Sequence, residues 1–175
     1  MTYYHEFQVP TTVLRLTAVV GPRGQGGGRG WREFAEMLKE GKTTAIPYFS
    51  PEEVCHFVDL RDVARMHIAV SEHPKAVGEI FNCCGKGFES GKEFQAIVEK
   101  IVPGIKVEFG FPWSAAQGDK LYHSMDKAKN VLGFEPKYTM VDAVRSIKEW
   151  IDAGGLEGAE SDTKDDDFLT GVEKK

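Results

Sequence analysis

The sequence contains no apolar run approaching the ~20 residues of a membrane-spanning helix, and its first ten residues, "MTYYHEFQVP", hold no apolar core of a secretory signal. Its only cysteines, Cys55, Cys83 and Cys84, form no C-x-x-C. Neither a zinc site nor a thioredoxin-like site is therefore spelled, and the neighbours Cys83 and Cys84 would point to opposite faces of a strand. Thiols without a disulfide framework fit a reducing compartment, so the expected address is cytoplasmic. A basic excess is also missing. The formal net charge is -5, and residues 157–175, with seven acids against three lysines, carry -4 of it. The remaining body is nearly neutral, which excludes the electrostatic footprint of a nucleic-acid binder and a polybasic membrane patch. There is no internal repeat.

What is present is a chain of 175 residues with 41% hydrophobic content, enough for one buried core. Residues 1–156 read as one globular unit and 157–175 as an acidic disordered tail. "DDD" at Asp165 to Asp167 lies in that tail and reads as solvated. Val13 to Val20 is apolar almost throughout, as in a strand buried on both faces. Trp31, Phe34, Ala35 and Leu38 repeat at helical spacing, with Gly41 to end the helix. "TTAIPYF", with Pro47, reads as an edge strand or loop. "VCHFVDL" is a short strand, and Asp59 or Asp62 is positioned to cap a helix that Pro74 stops. "GEIFNCCG" and "KVEFGF" are further strands. Ser90 with Glu93 spells a capping box. A short helix begins at Ser124 or Asp126 and ends at Gly133, and a last amphipathic helix runs from a Thr139 cap to Gly154. Strands alternating with helices predict an α/β fold.

"GPRGQGGGRG" at Gly21 to Gly30 invites a cofactor reading, because Gly24, Gly27 and Gly30 spell G-x-x-G-x-x-G. The spelling misleads. A dinucleotide loop needs its first glycine directly after the strand and an apolar residue before the last one. Here the motif starts beyond Pro22 and Arg23, and Arg29 precedes its last glycine. The stretch reads as a loop near a ligand, with Arg23 and Arg29 as candidates for a phosphate or carboxylate. Trp31, which opens the following helix, and Trp113, after Pro112, are candidate pocket walls. His56 and Asp59 are three apart in a strand, so they face opposite sides and form no dyad.

The motifs together resemble the extended short-chain dehydrogenase/reductases, the NAD-dependent epimerase/dehydratase family. "TTVLRLTAVVGP" is similar to the family's I-L-R-x-x-x-V-Y-G-P through Leu14, Arg15, Val19, Gly21 and Pro22. "HFVDLRDVA" resembles F-V-H-V-x-D-V-A, and "GEIFNCCG" resembles G-x-x-Y-N-x-G. "MDKAKNVLGFEP" resembles D-x-x-K-A-x-x-x-L-G-x-x-P through Asp126, Lys127, Ala128, Leu132, Gly133 and Pro136. The order of the four matches that of the family's C-terminal, substrate-side half. The resemblance implies part of a Rossmann-type fold with a small substrate lobe, and NAD or NADP as cofactor. It implies nucleotide-sugar or small carbonyl substrates, with Leu16, Thr17, Ala18 and Val19 lining the nicotinamide end.

The family's glycine fingerprint and its catalytic Tyr-x-x-x-Lys would both lie upstream of Met1. Every tyrosine here is followed four residues on by something other than lysine. No catalytic residue is therefore assigned, the chain alone is expected to be inactive, and weak or no cofactor binding is expected. Cys55 stands where nucleotide-sugar members often carry an arginine, and Ala18 where they carry an asparagine. Ala115 and Ala116 stand near a second family arginine. Each missing arginine removes charge-assisted bonds worth roughly 1.5–3 kcal/mol. Asp59 in "FVDLRDVA" resembles instead the ketone- and flavonoid-reductase branch. The expected partners are a small-molecule substrate and either the missing N-terminal half or a second copy. The alternative reading is a non-catalytic module that pairs through an exposed sheet edge.

Overall fold

The computed structural model describes residues 1–22, 30–41, 44–46, 50–109 and 123–156. Arg23, Arg29, Trp113, "DDD" and the acidic tail lie outside these residues. Trp31 lies within them by its backbone only.

The apolar run Val13–Val20 is not one strand. It forms β1 (Val13–Leu16) and β2 (Ala18–Val20), and the break falls at Thr17. β1 pairs in parallel with β5 (Ile80–Cys83), Val13 opposite Ile80 and Leu16 opposite Cys83. β2 pairs in parallel with β4 (Val54–Asp59), Ala18 opposite Phe57 and Val20 opposite Asp59. The two halves of the run thus take different partners. Thr17 N–H still donates to the Cys83 carbonyl at 3.2 Å, the last bond on the β5 side.

β4 also pairs, antiparallel, with β6 (Phe88–Ser90). The sequence reading had no strand there, because three residues after a glycine pair carry too little pattern to show. β3 (Thr44–Ile46) pairs in parallel with β7 (Val107–Phe109). "TTAIPYF" and "KVEFGF" therefore contribute a strand apiece.

The helices follow their local signals. α1 is Thr2–Phe7 and α2 is Gly30–Glu40, which buries Phe34, Ala35 and Leu38 as the spacing predicts. α3 (Leu60–Glu72) is capped by Asp59, whose carboxylate accepts from Arg61 N–H at 2.8 Å. α4 (Gly91–Ile101) opens on the Ser90–Glu93 capping box. α5 (Asp126–Leu132) begins where the Ser124 hydroxyl accepts from Asp126 N–H at 3.0 Å, so Ser124 supplies the side-chain bond and Asp126 is already helical. Gly133, at φ 64°, ends it. α6 (Met140–Asp152) opens on a second capping box, Thr139 with Asp142. These hydroxyl bonds hold the Asp142 carboxyl below its ordinary range.

Two apolar clusters result. One joins α2, α4 and α6 through Phe34, Leu38, Phe94, Val98, Val144 and Ile147, with Val20 from β2. The other joins α3, α5, β4 and β5 through Val58, Met66, Phe81, Cys83, Ala128 and Phe134. A polar clamp links the two. Arg61 pairs with Asp59 at 2.7 Å, lies 3.8 Å over the Tyr138 ring, and donates to the Asp142 carbonyl at 3.1 Å.

Asp62 completes the clamp. It is fully buried, accepts from the backbone N–H groups of Lys137 and Tyr138 at 2.9 Å each, and pairs with Arg65. An alanine there would strand two buried donors and half of an ion pair. Asp62→Ala is expected to lower unfolding stability by about 2–4 kcal/mol, read from urea denaturation as a shifted midpoint with an unchanged slope.

Candidate functional site

Parallel strands bring their carboxyl ends to one side, and α/β sheets bind ligands in the crevice outside those ends where the topology switches. In this chain β1 and β2 part at Thr17 and take different parallel partners. Of the residues expected at the nicotinamide end, Leu16 is exposed at the end of β1, and Ala18 and Val19 are half-buried on β2 beside Phe57 and Val58. The Thr17 hydroxyl is buried and has no hydrogen-bond partner among the described residues.

The turn after β5 returns directly against β4. A Cβ on Gly85 would stand 1.9 Å from the Phe57 carbonyl oxygen, so only glycine permits this approach. The closure carries Cys84 and Gly85 to His56, whose Nε2 lies 3.1 Å from the Gly85 carbonyl. A carbonyl only accepts, so Nε2 carries the proton and, in the neutral ring, Nδ1 presents a lone pair. Burial, ahead of the opposing Gly85 bond and the neighbouring His123, lowers the His56 pKa and favours that neutral ring.

The segment His123–Met125 is tied to the same place. Asn82 Nδ2 donates to the Ser124 carbonyl at 2.9 Å, and Cys84 N–H lies 3.3 Å from Met125 Sδ. His56, Cys84 and His123 therefore converge, and one ligand atom from each lies within 4.8 Å of the others. His56 Nδ1 and His123 Nδ1 are both buried without a partner among the described residues. Burial pushes the Cys84 thiol up to about 11, with Arg15 pulling the other way. The sequence reading missed this trio, and no Cys-x-x-Cys or His-x-x-x-His spacing marks it.

Next to it a shallow cleft is lined by Val20, Asp59, Gly85, Lys86, Glu89 and Tyr138. It sits between the carboxyl ends of β2 and β4 and the start of α6. Burial, then the nearby Glu93, pushes the Glu89 carboxyl up to about 6. Cys55, expected on the substrate side, stands opposite Glu89 in the β4–β6 pair and packs against the α2–α4–α6 cluster. Burial and Glu53 push its thiol up to about 12, so it is no nucleophile at neutral pH. His56 and Asp59 keep separate partners, Gly85 and Arg61.

This arrangement of parallel strands and helices resembles part of a Rossmann-type α/β fold. Residues 1–84 match the model of the NAD dependent epimerase/dehydratase family. The fold resembles UDP-glucuronic acid 4-epimerase from Bacillus cereus, solved with UDP-glucuronic acid and NAD, at TM-score 0.71 and 24% identity over 87% of this chain and 48% of that one. It also resembles an epimerase from Methanothermobacter thermautotrophicus (TM-score 0.72, 19% identity, 88% of this chain and 47% of that one). A third is UDP-glucose 4-epimerase with UDP-glucose from Thermotoga maritima (TM-score 0.71, 23% identity, 87% and 49%). At these identities the likeness is one of fold. The chain spans about half the length of the solved structures it matches. Comparison with curated protein sequences returned no match. No helix among the described residues is long and apolar enough to cross a membrane.

Two expectations follow. Gly85→Ala must push the Cys84–Gly85 turn off β4, with a loss of about 2 kcal/mol or more by thermal unfolding. The Glu89 carboxyl, raised from an ordinary 4.5 to about 6, costs the folded state stability that is fully felt above 6 and relieved as pH falls through 4.5. Glu89→Gln is therefore expected to raise the melting temperature at about pH 7.5 and to lose that advantage at about pH 4. An equal gain at both pH values would place the effect elsewhere.

Proposed function

We propose that this chain is the substrate-side portion of an NAD(P)-dependent epimerase/dehydratase-like protein and that it works only with a cofactor-side portion docked along β1. The observation that carries this is the β1–β5 pair. Two parallel strands are normally an interior fragment of a larger sheet with both faces covered. Here Tyr3 and Phe7 of α1 are 68% and 69% exposed, and Val9, Leu16 and Ile80 are exposed around the same strands. An apolar rim of this kind fits a docking surface, and the structural neighbours are about twice as long as this chain.

The reading assigns hydride transfer on a nucleotide-sugar or small carbonyl substrate to the assembled protein. A phenol titrates near ~10 and needs a nearby cation to act as acid or base at neutral pH. No tyrosine in this chain has a lysine four residues on, so the docked portion must bring that pair. The residues present fit only the nicotinamide end of the cofactor, where the unpartnered Thr17 hydroxyl meets the parting of β1 and β2. When bound, NAD(P) supplies the hydride. In this reading Leu16, Thr17, Ala18 and Val19 line the nicotinamide end, and Arg23, Arg29, Trp31, Cys55 and Trp113 are assigned to the substrate side. The proposal keeps the expected cytoplasmic address.

The same rim favours a second reading, a non-catalytic module that pairs edge to edge with another copy. Size-exclusion with light scattering separates the two, since a clean monomer counts against strand pairing. For the leading reading, isothermal titration of the chain alone with NADH and NADPH is expected to show no micromolar binding. Micromolar affinity would overturn the claim that the cofactor is held by another portion.

A further inference from the structure

Outside the proposed cofactor chemistry, the described residues hold one convergence of metal-binding groups: His56 from β4, Cys84 from the turn after β5, and His123 from the segment before α5. We propose that His56, Cys84 and His123 bind a borderline-soft divalent ion, zinc foremost, through two imidazoles and a thiolate.

Geometry and unsatisfied polarity carry this assignment. The ligand atoms lie within 4.8 Å of one another. Around a tetrahedral zinc ion, nitrogen and sulfur ligands stand roughly 3.3–3.6 Å apart, so closure needs side-chain shifts of about an ångström. Two buried ring nitrogens, His56 Nδ1 and His123 Nδ1, have no partner among the described residues. Unpartnered buried nitrogens are rare unless they serve a ligand. His56 also has the support that metal-bound histidines use, since its other nitrogen donates to the Gly85 carbonyl and fixes the ring. Imidazole and thiolate together select zinc-like ions over magnesium or calcium, which take oxygen ligands. Three protein ligands leave a fourth position for water or a small ligand.

The ligands come from three separate segments, so the ion is a cross-link. It ties β4 of the three-stranded sheet to the end of β5 and to the entry of α5. The site does not depend on hydride transfer or on a docked portion, and it is testable in the chain by itself.

The test is titration of the full, chelator-stripped chain with Co²⁺, followed by displacement with Zn²⁺. The expected result is one Co²⁺ per chain, with visible bands of a four-coordinate ion and a near-ultraviolet thiolate-to-cobalt band, both removed by Zn²⁺. Cys84→Ser is expected to abolish the thiolate band. His56→Gln and His123→Gln are each expected to weaken affinity by roughly 10–100-fold or more. Cys55→Ser, whose thiol packs in the other cluster, is expected to keep both signals. Circular dichroism of each metal-free variant confirms its fold, and the partly exposed His123 provides a variant with little folding cost. Zinc is expected to raise the melting temperature of the wild-type chain and not that of Cys84→Ser. Absence of a thiolate band in the wild-type chain, or a band that survives Cys84→Ser, overturns the proposal.

Discussion

The structure depends on one change of partner. Thr17 ends the hydrogen bonding of β1 to β5, and one residue later β2 has moved to β4. β1 and β2 are one continuous run of chain but share no partner, so the two strand pairs open apart there. The features argued about function lie on or beside these strands: the unpartnered Thr17 hydroxyl, the Gly85 turn folded back on Phe57, the Glu89 cleft and the His56–Cys84–His123 trio.

Something must keep the two apolar clusters in register. Apolar packing is non-directional and fixes no angle between them. The carboxylates of Asp59 and Asp62 supply the direction. Asp59 caps α3 and holds Arg61, which reaches across to the Asp142 carbonyl at the start of α6. Asp62 gathers the backbone of Lys137 and Tyr138 on the approach to that helix. Buried charge is costly unless fully satisfied, and here nearly every lone pair has a named donor. The cleft at Glu89 and Tyr138 lies beside this clamp, with Asp59 in its wall.

The legible parts were those decided within a few residues. The capping boxes at Ser90–Glu93 and Thr139–Asp142 appear where their spelling placed them, because a cap bonds its own helix's first turn. Gly133 ends α5 for the same kind of reason, a left-handed residue that glycine adopts freely. The family motifs were legible as an order of short matches, and the family model covers residues 1–84. The break at Thr17 was not legible, since "TTVLRLTAVV" is apolar on both sides of it and nothing local announces a change of neighbour. β6 was missed because its pairing with β4 comes from tertiary contact. Of the residues singled out for substrate, Cys55 proves to pack with the α2–α4–α6 cluster, while Arg23, Arg29 and Trp113 lie outside the described residues.

The sequence alone determined helices α2 to α6, the two capping boxes, the alternation that makes the fold α/β, and the lack of a Tyr-x-x-x-Lys pair. Each of these is a property of neighbours along the chain, where side chain and backbone meet whatever the rest does. Tertiary structure alone decided which strand lies beside which and which buried nitrogens are left without a partner. It also decided that the ligand atoms of His56, Cys84 and His123 come within 4.8 Å of one another. Those residues stand far apart in sequence, and only the closure of the Gly85 turn onto Phe57, a contact no side chain larger than hydrogen permits, brings them together.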